Sequence, residues 1–158
     1  MPNKEDFEAA GFQISTDKAK LDTGVIHHYL SVHSYWAQSI PLGLVQTSIE
    51  NSYCFGLFYR EEQIGFARLV TDKATFAYLA DVFVLPAFRG RGLSKWLIQT
   101  IHADPALQGL RRWMLATKDA HGLYAQFGWK PVPEEMAGRF MQLHNPDLYQ
   151  NPGPATEN

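Results

Sequence analysis

Residues 81–101, DVFVLPAFRGRGLSKWLIQTI, constrain the fold more than any other stretch. Asp81-Val82-Phe83-Val84-Leu85 has the β-branched and aromatic composition of a buried strand. Pro86 ends it, because proline has no N–H to give to a ladder. Leu93, Leu97, Ile98 and Ile101 then recur at helical spacing, so an amphipathic helix follows. Between strand and helix lies Arg89-Gly90-Arg91-Gly92-Leu93-Ser94. Paired glycines allow a tight turn and a close approach of backbone to ligand. The first turn of a helix has unpaired N–H groups and the positive end of a dipole, which together hold an anion. Arg89, Arg91 and Lys95 add positive charge, and Ser94 adds a hydroxyl. The expected ligand carries phosphate. Read by itself, the turn is also compatible with a basic helix start that binds nothing.

Three phosphate-binding patterns compete for this turn. The P-loop spacing G-x-x-x-x-G-K-[ST] is absent, because Gly90 and Gly92 stand too close and no Gly-Lys pair follows. The dinucleotide pattern G-x-G-x-x-G fails at its third glycine, which falls on Lys95. The pattern R/Q-x-x-G-x-G/A fits Arg89 to Ser94, after a strand ending in V-x-P. In this the stretch resembles the pyrophosphate-binding motif of the general N-acetyltransferase (GNAT) superfamily, which binds acetyl-coenzyme A. Ser94 departs from the usual glycine or alanine, but it is small and can donate.

A chain of 158 residues suits one domain with a real core. Its net charge of −2 argues against a nucleic-acid partner, which calls for a basic surface. Cys54 is the only cysteine, so neither an intrachain disulfide nor a zinc-cysteine site can form. The six histidines are scattered without H-E-x-x-H spacing, and no metal is expected. The N-terminus is charged and reads as no signal peptide, and no apolar run approaches the ~18 residues of a membrane span. The expectation is a soluble, cytoplasmic protein without a membrane partner. A homodimer is left open.

Along the chain, residues 1–11 are polar and read as loose. Phe12 to Ser15 alternate as a strand. Asp22 or Thr23 is placed to cap a helix whose apolar band runs from Val25 to Trp36. A second helix runs from Leu42 to Ile49. Tyr53–Tyr59 and Ile64–Thr71 form a hairpin, and Phe76–Leu79 lead into the strand at Asp81. Arg112–Thr117 read as a strand, His121–Phe127 as a short helix and Arg139–His144 as a last strand. The domain is placed at 1–145, with 146–158 as a flexible tail. The order predicts an α+β fold: a mixed, mostly antiparallel central sheet flanked by helices.

That order is also the GNAT order, and a second motif extends the resemblance over residues 50–130. Thr117 to Trp129 is similar to the family's N-x-x-A-x-x-x-Y-x-x-x-G-F segment, with Ala120, Tyr124 and Gly128 matching and Trp129 as the aromatic. Thr117 replaces the asparagine. The resemblance implies that Val82, Phe83 and Val84 pair with the pantetheine arm like an added strand. It implies that a backbone N–H near Val84 faces the thioester oxygen, and that Tyr124 protonates the leaving thiolate. For Tyr124 the alternative is a tyrosine that only packs. Asp81 could accept a proton through water, attract a cationic amine, or simply bind backbone donors. Tyr29, Tyr35 and Trp36 stand where the family walls its acceptor pocket, and core packing of their helix is the other reading.

The chain therefore reads as an acetyl-coenzyme A-dependent N-acetyltransferase acting by direct transfer. The acceptor is expected to be the primary amine of a small molecule, with a peptide or protein amine as the alternative. A non-catalytic acyl-coenzyme A sensor of the same fold, or an enzyme for longer acyl groups, would share the glycine turn.

Overall fold

The computed structural model describes residues 2–150. Its sheet has five strands in the order β1-β2-β3-β4-β5: Phe12–Ser15, Tyr53–Tyr59, Glu62–Thr71, Phe76–Val84 and Arg112–Met114. The first four run antiparallel to their neighbours, and β5 lies parallel to β4. The fold is α+β with a mostly antiparallel sheet between helices, as expected from the sequence. Phe76–Leu79 and the stretch from Asp81 are one nine-residue strand.

Alternation within the strands decides which helix meets which face. Cys54, Phe66 and Phe83 pack against Ile26, Leu30, Val45 and Ile49 of α2 (Thr23–His28), the turn after it and α3 (Leu42–Glu50). On the other face Phe55, Ala67, Leu69, Ala77 and Leu79 meet Leu97, Ile98 and Ile101 of α4 (Leu93–Ala103) and Tyr124 of α5 (His121–Ala125). All the apolar positions read as the inner stripe of α4 are buried. Cys54 is buried in the core, and burial pushes its thiol up to about 11. It is therefore an inert thiol at neutral pH.

Three sequence expectations need correction. Within the stretch read as loose, Lys4–Ala9 form a helix, α1. Asn3 Oδ1 accepts from the Asp6 N–H, and the Asp6 carboxylate accepts from the Asn3 N–H, which is a capping box. Phe7 of this helix stacks on Trp96, ring centres 4.7 Å apart, and ties it to the core. The helix capped by Asp22 does not reach Trp36. It widens to a π turn at Tyr29–His33 and stops where the Ser34 hydroxyl bonds the Leu30 carbonyl and accepts the Ala37 N–H. Tyr35 and Trp36 therefore sit on a loop. Arg139–His144 is no strand. Its alternation finds no partner ladder among the described residues, and Met141 and Leu143 are fully exposed. The segment follows a short helix, α6 (Glu134–Ala137).

Of the expected tail, residues 151–158 lie outside the described residues. Before them, Tyr149 is partly buried against the core cluster that holds Ile26 and Leu30. No helix among the described residues is long and apolar enough to cross a membrane.

Gly65 on β3 lets the strands approach where the site begins. A Cβ there would stand 2.8 Å from the Phe83 carbonyl oxygen and 2.9 Å from Leu57 Cδ2. The nearer atom is backbone and cannot swing away. Gly65→Ala is expected to lower stability by about 1–3 kcal/mol, the usual cost of overpacking. Urea denaturation reads this as a lower midpoint, and an unchanged midpoint would mean that β3 and β4 have room to part.

Candidate active site

The parallel pairing of β4 with β5 covers only Phe76–Tyr78 against Arg112–Met114. Beyond it the chains diverge, and a cleft of about 1250 Å³ opens between residues 79–84 and residues 115–120. Two features of β4 turn it towards this cleft. The β3–β4 register slips between Phe66 and Arg68, so β4 carries an extra residue there. Asp81 sits at the bulge with φ of 55°, in the left-handed region that a non-glycine residue rarely occupies. A bulge of this kind re-aims backbone and side chains and ends regular pairing.

The basic turn closes one end of the cleft. Pro86–Phe88 form a 3-10 turn, and Gly90 and Gly92 both take positive φ, 78° and 82°. Gly92 is the N-cap of α4 and has no side chain to cap it. The N–H groups of residues 90–95 meet no acceptor among the described residues. A Cβ at Gly90 would touch nothing within 4 Å, so the hollow in front of the turn is open. Unpaired donors, a helix start and an open hollow fit a pyrophosphate.

The charges around that turn divide their work. Arg89 folds inward: its Nε donates to the Val84 carbonyl and its Nη2 to the Tyr29 hydroxyl, each at 2.9 Å. It braces the turn against β4 and the π turn. Arg91 is exposed, its guanidinium 5.6 Å from the Phe88 ring centre, and Lys95 is half-buried on the first turn of α4. Leu93 is core, whereas Ser94 faces the cleft. Val82, Phe83 and Val84 line the cleft as a strand edge. The Phe83 ring turns into the core and stacks on Tyr29, 4.0 Å between centres.

Tyr124 reaches the cleft from α5 on the far wall. It is buried to 8 % exposure and packs against Trp129. Burial, with Tyr35 nearby, pushes its phenol up to about 12. The hydroxyl bonds no described group, yet no buried side-chain oxygen or nitrogen lacks a partner, so it opens to the cleft. It is a protonated donor at neutral pH. Thr117, at the position of the motif's asparagine, spends its hydroxyl on the Ala120 N–H and so shapes the entry to α5.

Asp81 is held on both sides. Its Oδ2 pairs with Arg68 Nε at 2.8 Å, and its Oδ1 accepts from the Trp36 indole at 2.9 Å. Arg68 also donates from Nη1 to the Ser52 hydroxyl. Trp36 and Tyr35 are both part-exposed on the cleft wall, and the Lys118 N–H donates to the Tyr35 hydroxyl across the opening at 2.8 Å. Tyr29 lines the same wall but is spent on Phe83 and Arg89. Sequence reasoning does not find Ser52, Val70 or Tyr78. Nothing local marks them, because they come to line one cleft with Asp81 only once the strands are in register.

This geometry has relatives. Residues 50–131 match the family model for the acetyltransferase (GNAT) domain. A protein of Gibberella zeae, named as a candidate acetyltransferase, is 34% identical over 137 residues, covering 73% of this chain and 76% of that one. The crystal structure of a candidate GNAT-family acetyltransferase from Xanthomonas campestris pv. campestris superposes with a TM-score of 0.85 at 52% identity, over 89% of this chain and 97% of that one. A GNAT-family acetyltransferase from Elizabethkingia anophelis, with acetyl-CoA bound, shares the fold at a TM-score of 0.59 and 14% identity, over 78% of each chain. The chain belongs to the GNAT acetyltransferase family.

Proposed function

We propose that this chain is an acetyl-coenzyme A-dependent N-acetyltransferase that passes the acetyl group directly to the primary amine of a small molecule. The observation that carries the reading is the cleft itself. An anion-ready turn closes one end, a free strand edge forms one wall, and a buried, protonated phenol stands on the other. Bound coenzyme supplies the activated acetyl thioester. The N–H groups of residues 90–95 take the pyrophosphate, with Arg91 and Lys95 adding charge. Val82, Phe83 and Val84 offer backbone donors and acceptors to an extended arm. Tyr124 gives its proton where the leaving thiolate forms.

Direct transfer agrees with the lone thiol, which is buried in the core and holds its proton. Asp81 acts through its ionic and indole bonds: it places Arg68 and Trp36 and sets a negative charge beside β4 for an incoming ammonium. The test is release of free thiol from acetyl-coenzyme A against a panel of amines, amino acids and peptides. Amine-dependent release is expected. The reading is lost if saturating acetyl-coenzyme A neither raises Tm nor gives heat on titration.

A further inference from the structure

Within the cleft, the half away from the glycine turn is not neutral space. Its floor is the Arg68–Asp81 pair, with side-chain exposures of 18% and 10%. A charge pair this poorly solvated is felt strongly by anything that docks on it. Each member keeps capacity to spare. Arg68 has committed Nε to Asp81 and Nη1 to Ser52, while Nη2 meets no acceptor among the described residues. Since no buried side-chain nitrogen lacks a partner, Nη2 is open to solvent, and Arg68 lines the cleft. Each Asp81 oxygen has accepted one bond and has a second lone pair. Around this pair the wall is apolar and exposed, with Leu44, Val70, Tyr78 and Trp36 between 37% and 47% exposed.

We infer that the acceptor is a free α-amino acid with an apolar side chain, an inference that rests on the transferase reading above. A zwitterion lies antiparallel to the ion pair: its carboxylate on Arg68 Nη2, its ammonium towards Asp81. That places the nitrogen beside Val82, the first residue of the strand edge assigned to the acetyl donor. The side chain then meets Leu44, Val70 and Tyr78. A simple amine leaves the guanidinium edge unmatched, and a polyamine brings a second positive charge against Arg68. A peptide N-terminus has no carboxylate next to its amine.

The experiment compares L-leucine with L-leucinamide and 3-methylbutylamine, and L-phenylalanine with its amide and 2-phenylethylamine, at saturating acetyl-coenzyme A. The other common amino acids are run beside them. At least one amino acid is expected to exceed its amide and its decarboxylated amine by about 10- to 100-fold in kcat/KM, the worth of one hydrogen bond to a charged group. The amides make this a severe comparison, because their amines are less basic and more of each is neutral. Arg68→Lys keeps a charge for Asp81 but loses the planar fork, so the ratio should collapse towards one. The wild-type ratios decide the matter even if that variant is unstable. Amides or simple amines used as well as the amino acids would overturn the inference and leave the transferase standing. So would coenzyme binding with no amino acid acetylated. Failure to bind acetyl-coenzyme A at all would instead remove the transferase reading.

Discussion

Tyr124→Phe should lower turnover by roughly 10²-fold or more, the scale of a lost general acid, with little change in coenzyme A affinity. Phenylalanine keeps the ring that packs on Trp129 and loses only the hydroxyl. On the proposed reading, affinity rests on the turn at residues 90–95, at the end of the cleft and not on the wall that carries Tyr124. The loss therefore belongs in kcat and not in coenzyme binding. The direction of the phenol's pKa adds a second signature. With the phenol held up to about 12, first by burial and then by Tyr35, the acid stays protonated through the alkaline range. The wild-type rate should rise with pH as the amine loses its proton, with no fall from Tyr124 below about pH 11. Steady-state turnover on the best amine of the panel measures both. Equal turnover, with both proteins binding coenzyme A alike, would leave Tyr124 a packing residue and strike it from the mechanism.

Gly92→Asp should abolish coenzyme A binding without unfolding the domain. Gly92 has φ of 82° and ψ of 8°, a conformation aspartate tolerates better than most residues. Its carboxylate would stand among the free N–H groups at the start of α4. The anion site would then be filled by the chain itself. A phosphate arriving about 4 Å from that carboxylate meets about 4 kcal/mol of repulsion per unit charge near a protein surface, close to a thousandfold in Kd. Titration calorimetry reads the loss, and the Tm without ligand shows that the fold survives. Gly92→Ala supplies the control, since it strains the backbone but carries no charge. Equal weakening by the two variants would assign the effect to strain instead.

The stretch from Asp81 to Ile101 was legible because its signals are local: strand composition, a proline stop, glycines and a helical stripe. Tyr53–Tyr59 was legible for the same reason, and its bounds agree with β2. The capping box at Asn3 and Asp6 was equally local, but polar composition hid it, and α1 was read as loose. Arg139–His144 shows the opposite error. Alternation is a statement about one chain, whereas a strand needs a partner, which the segment does not have among the described residues. The site divides along the same line. Gly90, Gly92 and Tyr124 could be placed by motif. The inward fold of Arg89 and the joining of Asp81 to Arg68 and Trp36 depend on residues 13 to 60 positions away, and no spacing rule reaches that far.

The divergence of β4 from β5 also bears on how the molecule keeps to itself. An unpaired strand edge invites other chains to add to it. Here the outermost strands are short, four residues in β1 and three in β5, and offer little to a passing sheet. The longer free edge, on β4, faces inward between the walls of the cleft. A single extended molecule can slide along it, but a second sheet cannot approach. The arrangement that makes room for a ligand thus also withholds from other copies of the chain the surface most prone to aggregate.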